Sequence, residues 1–237
     1  MSNERLQDYV SNSDYIVFFG GAGVSTESGI PDFRSVDGLY NQKWKYPPEK
    51  MISHTFFIEQ TEEFFDFYRN KLLFLDAQPN KAHLALAALE KSEKLKAVIT
   101  QNIDGLHQKA GSQEVLELHG SVWRNYCINC GKSYALKAVA EAEGIPFCNC
   151  GGVIKPDVVL YEESLDDDMM IAAMDHIARA DMLIIGGTSL AVYPAAGLLE
   201  VYKGKRLVLI NKTATHMDKA ADLIIRDNIG KALSCFI

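Results

Sequence analysis

Short apolar runs separated by helix-like segments constrain this chain more than any other feature. Six runs of four or five residues are largely apolar, and amphipathic stretches lie between most of them. Strands that are apolar along their length are buried on both faces, which is typical of a parallel sheet covered by helices. The sequence therefore predicts an α/β fold with helices on both faces of the sheet. The predicted strands are 15–19, 97–100, 115–118, 182–185, 206–210 and 222–225.

Two stretches, 34–75 and 123–153, interrupt this alternation. A chain of 237 residues suits one large domain with a smaller insertion. We therefore expect a small lobe made of a helical insert and a cysteine-bearing module. The predicted large lobe comprises 1–33, 76–122 and 154–237. Helices are predicted over 81–91 and near 134–143 and 194–202.

The net charge limits the kinds of partner that this protein can bind. Lys and Arg total 24 against 31 Asp and Glu, so the net charge is −7. An acidic surface repels phosphate backbones and tolerates basic partners such as a lysine-rich peptide. No apolar run approaches the roughly 20 residues of a membrane span, and no secretory signal is recognisable. With an odd count of five cysteines, these features predict a cytoplasmic protein without nucleic-acid or membrane partners.

A glycine-rich turn follows the first strand. Gly20, Gly21 and Gly23 lie there with Ala22 between them. Glycines let the backbone approach a pyrophosphate, although the same turn could be only a tight connection. A dehydrogenase of the usual dinucleotide-binding type would carry a third glycine near Thr26 and a carboxylate about 20 residues further on. Neither is present, which disfavours hydride transfer.

The segment after this turn carries Asp32, Phe33 and Arg34 in succession. Gly29 and Pro31 keep it from forming a regular helix. Such a loop can place an aromatic face and a guanidinium over a bound nucleotide. Alternatively, an ion pair between Asp32 and Arg34 only ties the loop down.

Polar residues follow the later strands, at the edge where parallel sheets bind ligands. Gln101 and Asn102 can hydrogen-bond ribose or an amide, whereas Asp104 can bind a carboxamide or cap the next helix. His107 lies close enough in sequence to support Asp104. Further small or polar residues follow the strands 182–185 and 206–210, namely Gly187, Thr188, Ser189 and Asn211.

His119 is the best placed of the six histidines for chemistry, because it directly follows the strand 115–118. An imidazole with an ordinary pKa of about 6.5 suits a general base near neutral pH. From position alone, a role in chemistry and a role in packing are equally open.

Four of the five cysteines form two close pairs, Cys127 with Cys130 and Cys148 with Cys150. Thiolates at these spacings suit tetrahedral zinc, and four cysteine ligands leave no open position for chemistry. We therefore expect one structural Zn²⁺. The alternative is four free cysteines or a redox pair.

Together these residues resemble the sirtuins, a family of NAD-dependent protein lysine deacylases. The matching stretches run through nearly the whole chain in the family's order. They are GAGVSTESGIPDFRS (21–35), QNIDGLHQKAGS (101–112), ELHGS (117–121), the four cysteines, KPDVVLYEE (155–163), GTSLAVYPAA (187–196) and LVLINK (207–212).

The resemblance implies a Rossmann-like large lobe, a small lobe with a zinc module, and a cleft that binds NAD as co-substrate. Ile103 and Asp104 would hold the carboxamide of NAD. Val158, Val159 and Leu160 would pair with the backbone of acetylated lysine peptides or proteins. The full set of implied NAD contacts is Gly21, Ala22, Gly23, Thr26, Asp32, Phe33, Arg34, Gln101, Asn102, Ile103, Asp104, His119, Gly187, Thr188, Ser189, Asn211 and Ile229.

The implied activity is the removal of acetyl groups from protein lysine side chains. The acyl oxygen attacks the nicotinamide ribose as nicotinamide departs, and His119 is the general base that takes a proton from a ribose hydroxyl. The products are nicotinamide, O-acetyl-ADP-ribose and free lysine. We expect a monomeric enzyme of bacterial type.

Two other enzymatic readings stay open. The first is NAD-dependent mono-ADP-ribosyl transfer, which also begins with loss of nicotinamide. The second is a preference for succinyl or malonyl lysine, but family members with that preference carry Tyr-x-x-Arg. Here Lys71 stands in place of that Arg, three residues after Tyr68. The absence of Arg favours acetyl lysine, although Lys71 could partly replace its charge. A non-enzymatic NAD or zinc module is disfavoured by the presence of His119 and Asp104.

Overall fold

The computed structural model describes residues 2–33, 38–39 and 45–237. In these ranges the strands form one sheet of six and one sheet of three. Their bounds are β1 (Ile16–Gly20), β2 (Leu95–Thr100), β3 (Val115–Glu117), β4 (Gly120–Cys127), β5 (Ser133–Ala135), β6 (Ile154–Val158), β7 (Met182–Gly186), β8 (Arg206–Ile210) and β9 (Leu223–Ile225).

The larger sheet has the strand order β3-β2-β1-β7-β8-β9, and every neighbouring pair is parallel. Numbered within the sheet, this is the 3-2-1-4-5-6 order of Rossmann-like folds. The predicted fold class is confirmed.

Helices cover the sheet and build the insert. The described α-helices are α1 (Ser2–Ser11), α2 (Pro48–Met51), α3 (His54–Glu59), α4 (Thr61–Lys71), α5 (Lys81–Lys91), α6 (Leu106–Ala110), α7 (Lys137–Ala140), α8 (Asp167–Arg179) and α9 (Ile229–Leu233). A side-chain cap fixes the start of α5, where the Asn80 side chain accepts a hydrogen bond from the Ala82 N–H at 2.8 Å. Among the described residues, no helix has both the length and the hydropathy needed to cross a bilayer.

Strand β1 shows why the apolar runs are continuous. Ile16 and Phe18 pack into the cluster under α1, α5 and α9, whereas Val17 and Phe19 pack into the cluster under α8. Successive side chains of a strand point to opposite faces, and here both faces are covered. All four side chains are fully buried, so the central strands are rigid supports for whatever follows them.

The smaller sheet has the order β5-β4-β6 and is antiparallel. It shares a third apolar cluster with α3 and α4, whose aromatic side chains include Phe57, Phe64 and Tyr68. The predicted division into a large and a small lobe stays a prediction. Strand β6 belongs to the range assigned to the large lobe and pairs with β4 of the smaller sheet.

Two helix predictions differ from the structure. The helix expected near 134–143 is instead strand β5 followed by the short helix α7. The reason is a tight turn, in which Gly131 adopts a φ of 69° and its N–H bonds the Cys127 carbonyl, so the chain reverses and Tyr134 pairs with Asn125. The helix expected near 194–202 is a 3₁₀ segment, Ala195–Val201.

Candidate active site and metal centre

The carboxyl ends of four parallel strands lie side by side. Gly20 of β1 is in register with Thr100 of β2 and with Gly186 of β7, and Gly186 is in register with Ile210 of β8. The residues that follow these four are therefore neighbours at one edge of the sheet: Gly21, Gln101, Gly187 and Asn211. This is the point where the strand order reverses between β1 and β7, and such points bind ligands in open α/β sheets.

The two glycine turns pack directly against each other. The Gly23 N–H donates to the Gly187 carbonyl at 2.7 Å, and a Cβ on Gly23 would lie 2.7 Å from the Gly187 Cα. A Cβ on Gly21 would lie 2.9 Å from the Gln101 Oε1. No side chain fits at either position, so the backbone itself forms this surface. The turn continues as two short 3₁₀ segments, in which the Thr26 hydroxyl donates to the Gly23 carbonyl.

Ser25 links the glycine turn to the residues after β2. Its hydroxyl donates to Asp104 Oδ2 at 2.6 Å and accepts from Asn102 Nδ2 at 3.0 Å. Burial raises the pKa of Asp104, while hydrogen bonds from Ser25 and the Leu106 N–H oppose that shift. The sequence analysis missed Ser25; the signal was a small hydroxyl residue two positions after Gly23 in a turn that is not a helix.

His119 is held by the strand end of β2. Its Nδ1 lies 2.9 Å from the carbonyl oxygen of Gln101. A carbonyl can only accept, so Nδ1 carries the proton and Nε2 keeps its lone pair when the ring is neutral. Burial lowers the pKa of His119 below its ordinary 6.5, partly offset by the Gln101 bond. The imidazole is therefore neutral at pH 7 and able to accept a proton.

Gln101, Thr188 and Asn211 form a chain of side chains along the sheet edge. The Thr188 hydroxyl donates to Gln101 Oε1 at 3.2 Å, and Thr188 exchanges two hydrogen bonds with the Asn211 amide. The Gln101 Nε2 is buried without a partner in the structure. An unpaired buried donor is costly, so its position is suited to a ligand oxygen. Together with the bare glycine backbones, this donor fits NAD.

The remaining predicted cofactor residues occupy different places. Phe33 and Ile103 pack against the aromatic cluster of α3 and α4, while Ser189 is exposed beside Thr188. Ala22 and Asp32 are half-buried. Ile229 is buried in the core beneath Gly186. Arg34 lies outside the described residues.

His107 does not hydrogen-bond Asp104. Both of its ring nitrogens are buried without a partner, and its ring meets that of His83 edge to face at 4.7 Å. Burial lowers the pKa of His107 well below its ordinary value, and burial lowers that of His83 to about 4. The pair is consequently a neutral packing element of the core.

The four clustered cysteines converge as their spacing predicts. All four sulfur atoms lie within 4.8 Å of one another. The Cys150 backbone N–H and then the Tyr134 hydroxyl lower the pKa of the Cys148 thiol to about 6, which favours the thiolate that metals bind. A closed set of four sulfur donors fits tetrahedral zinc. Cys235 lies outside this cluster.

The segment of Val158, Val159 and Leu160 runs from His119 towards the start of α3. Val158 ends β6, which is an edge strand of the smaller sheet. The Val159 N–H donates to the His119 carbonyl at 3.0 Å. This segment therefore begins beside His119.

Comparison with protein families gives a match over residues 21–194 to the Sir2 family. The chain belongs to the Sir2 family. The match includes the glycine turn, the polar residues that follow β2 and β7, His119 and the four clustered cysteines, whereas Asn211 lies beyond it.

Curated relatives can be aligned with this Sir2-family chain over nearly its whole length. An NAD-dependent protein deacetylase of Clostridium perfringens is 60% identical over 233 residues, which are 97% of this chain and 96% of that protein. The protein of the same description from Clostridium acetobutylicum is 60% identical over 237 residues, 98% of this chain and 97% of its own.

Solved Sir2 structures share the architecture. A Sir2 variant with a deacetylated p53 peptide and 3'-O-acetyl ADP-ribose superimposes with a TM-score of 0.91 at 38% identity, covering 98% of this chain and 96% of that one. A Sir2 complex with a p53 peptide and NAD⁺ gives a TM-score of 0.88 at 38% identity, with coverage of 98% and 96%.

Proposed function

We propose that this protein is an NAD-dependent protein deacetylase that removes acetyl groups from lysine side chains. One observation carries the proposal: the proton-accepting His119 is bonded to the backbone carbonyl of Gln101, whose side-chain Nε2 stands without a partner among the aligned strand ends. The family membership and the named activity of the relatives support it. Nicotinamide, O-acetyl-ADP-ribose and free lysine are the expected products.

His119 is the proposed general base. When bound, NAD supplies the ribose carbon to which the acetyl oxygen adds and the nicotinamide that leaves. Nε2 of His119 takes a proton from a ribose hydroxyl, because the Gln101 carbonyl holds the ring proton on Nδ1. The lowered pKa keeps this base unprotonated at neutral pH.

Asp104 is the proposed partner of the NAD carboxamide. Ser25 and the Leu106 N–H already occupy one oxygen each, at 2.6 and 2.9 Å, so the carboxylate is held in a fixed orientation. A fixed, buried acceptor can orient an amide N–H. The glycine backbones of the two turns are proposed to approach the phosphates, and Asn211 the adenosine side.

The substrate is proposed to be an acetylated lysine peptide that pairs with Val158, Val159 and Leu160. Strand addition at a sheet edge reads the peptide backbone rather than its side chains. Zinc is proposed to bind the four clustered cysteines and to stabilise the smaller sheet. No other ligand position is left in a four-thiolate site, so the metal role is structural.

Turnover of acetyl-lysine peptides with NAD tests the proposal. Mass spectrometry should find nicotinamide, O-acetyl-ADP-ribose and deacetylated peptide in equal amounts. A panel with acetyl, succinyl and malonyl peptides should show the acetyl peptide turned over fastest. A mass increase on the peptide from attached ADP-ribose, without deacetylation, would instead establish ADP-ribosyl transfer.

A further inference from the structure

The segment from Val158 to Glu163 is bonded on both sides to other parts of the molecule. At its start, the Val159 N–H donates to the His119 carbonyl. Further along, the Tyr161 N–H donates to the Ile52 carbonyl at 3.0 Å, and the His54 N–H donates to the Tyr161 carbonyl at 2.9 Å. The segment therefore connects the residue proposed as general base to the start of α3.

An ion pair between a buried lysine and a partly buried glutamate lies beneath this segment. Lys155 is only 4% exposed, and its Nζ lies 3.0 Å from Glu163 Oε2. The same Nζ donates to the Val158 carbonyl at 2.8 Å, and the Leu160 N–H donates to the same Glu163 oxygen at 2.9 Å. The pair thus holds one backbone group on each side of Val159. Burying two charges is costly, and hydrogen bonds of this kind are what make such a pair tolerable.

Two further contacts fix the far end of the segment. Glu162 has a left-handed backbone with φ of 76°, which is unfavourable for a residue other than glycine. Its carboxylate accepts from the Thr55 N–H in the first turn of α3 at 2.8 Å. Glu163 Oε1 also lies 2.9 Å from His54 Nδ1. The surrounding contacts thus hold the segment in a strained, single shape.

We infer that Lys155 and Glu163 are positioning residues for substrate binding. The inference deepens the proposed function and rests on it, because it takes Val158, Val159 and Leu160 as the peptide-binding segment. The ion pair sets the direction of the Val158 carbonyl and the Leu160 N–H, so the segment is shaped before the peptide arrives. Neither side chain takes part in the chemistry of NAD.

Steady-state kinetics of Lys155→Met and Glu163→Gln test the inference. Glu163→Gln keeps the shape of the side chain, Lys155→Met shortens it only by the terminal ammonium group, and both substitutions remove the charge. We expect the KM for an acetyl-lysine peptide to rise on the order of tenfold, with kcat within about threefold of the parent protein. The affinity for ADP-ribose should be unchanged. A single acetyl-lysine amide, which lacks flanking residues, should show a smaller rise in KM than the peptide.

Lys137→Met is the matched control, because it removes the lysine of an exposed ion pair between the start of α7 and Glu141, which directly follows that helix. It should leave every constant unchanged. The inference is wrong if the folded variants keep the parent peptide KM, or if peptide and ADP-ribose affinities fall together with stability. A fall in peptide KM would also overturn it, since the pair would then compete with the peptide. Absence of deacetylation by the parent protein would refute the proposed function separately.

Discussion

The two sheets hold functional residues in opposite ways. In the six-stranded sheet, the residues after β1, β2, β7 and β8 are placed by strand register, and the strands are buried on both faces. In the three-stranded sheet, β5 has only three residues, and Cys130 and Cys150 are exposed. The first region needs no ligand to fix its geometry. In the second, Cys127 and Cys148 are buried in the apolar cluster shared with α3 and α4, whereas Cys130 and Cys150 reach the surface, so packing encloses only half of the cysteine cluster.

This difference shows what each region can contribute. Burial and backbone hydrogen bonds are sufficient to fix the positions of the residues that follow the strands of the larger sheet. Where packing encloses only part of a region, metal ligation commonly supplies the remaining constraint on its structure. Strand β6 belongs to the smaller sheet, and the segment that follows it lies beside His119. Changes to the strand ends of the larger sheet and changes to the smaller sheet should therefore impair different properties of the protein.

Loss of zinc should produce the largest loss of stability, and this loss should at first be confined to the smaller sheet. Structural zinc sites supply on the order of 10 kcal/mol of folding free energy. We expect one zinc per chain by elemental analysis and almost none in Cys148→Ser, with rapid proteolysis within 123–153. Cys235→Ser is the matched control and should keep its zinc. Fresh parent protein without zinc would contradict the assignment.

Substitution of His119 should abolish turnover and leave the larger sheet intact. Loss of a general base costs roughly 10² to 10⁴-fold in rate. We expect this loss in kcat for His119→Ala and for His119→Tyr, with an unchanged melting temperature. In the parent protein, kcat/KM should be flat through pH 7 and fall only below pH 6.5, because burial lowers the pKa of His119 in the free enzyme. Normal turnover in either variant would rule out the role.

Acid should lower the free energy of unfolding through the buried histidine pair, His83 on α5 and His107 on α6. The pKa of His83 is about 4 when folded and about 6.5 when unfolded, so the unfolded chain binds more protons between these values. The free energy of unfolding should therefore fall by about 3 kcal/mol from His83 as pH drops from 6.5 to 4. His107 adds to the fall in the same direction.

Urea titrations at several pH values measure this loss. His83→Gln should be less stable at pH 7 but show a shallower decline below pH 6.5. The exposed His216 provides the control, since His216→Gln should keep the parent slope. An identical slope in all three proteins would exclude the buried pair as the source.

Removal of the Ser25 hydroxyl should give the smallest of these effects. Ser25→Ala removes a hydrogen bond to the Asp104 carboxylate, worth about 1.5–3 kcal/mol for charged partners. Because Ser25 acts through Asp104, we expect only part of this energy to be lost in binding, with KM for NAD rising up to about tenfold, or about 1.4 kcal/mol. ADP-ribose has no carboxamide and should bind as before. Ser28→Ala, which removes an acceptor of Asn80, is the control; equal losses for both ligands would contradict the assignment of Asp104.

Most of the architecture follows from local sequence. Helix α5 occupies the predicted range 81–91 because Asn80 caps it, and the apolar runs become strands because both sheet faces are covered. The hairpin of β4 and β5 was not predictable from residues 134–143, since the turn at Gly131 decides it. A tight reversal there overrides the helical composition of the following residues.

The candidate site could be predicted where it follows strands directly. Gly21, Gln101, Gly187, His119 and Asn211 were found because parallel strands end at one edge. Ser25 and the pair of Lys155 with Glu163 were not found, because their partners lie far away in the sequence or meet only through a bent segment. Ser25 and Asp104 are separated by 79 positions. Such contacts appear only once the chain is folded.

The most direct test is to watch His119 while ADP-ribose binds. Two-dimensional NMR of ring-labelled histidines resolves each imidazole, and His119→Ala assigns the relevant signal. The account predicts that the His119 signal shifts as ADP-ribose is added and that half of the shift is reached at the dissociation constant measured by calorimetry. The signals of the exposed His54 and His216 should not shift. An unshifted His119 signal at saturating ADP-ribose would contradict a dinucleotide site at the strand ends beside this imidazole.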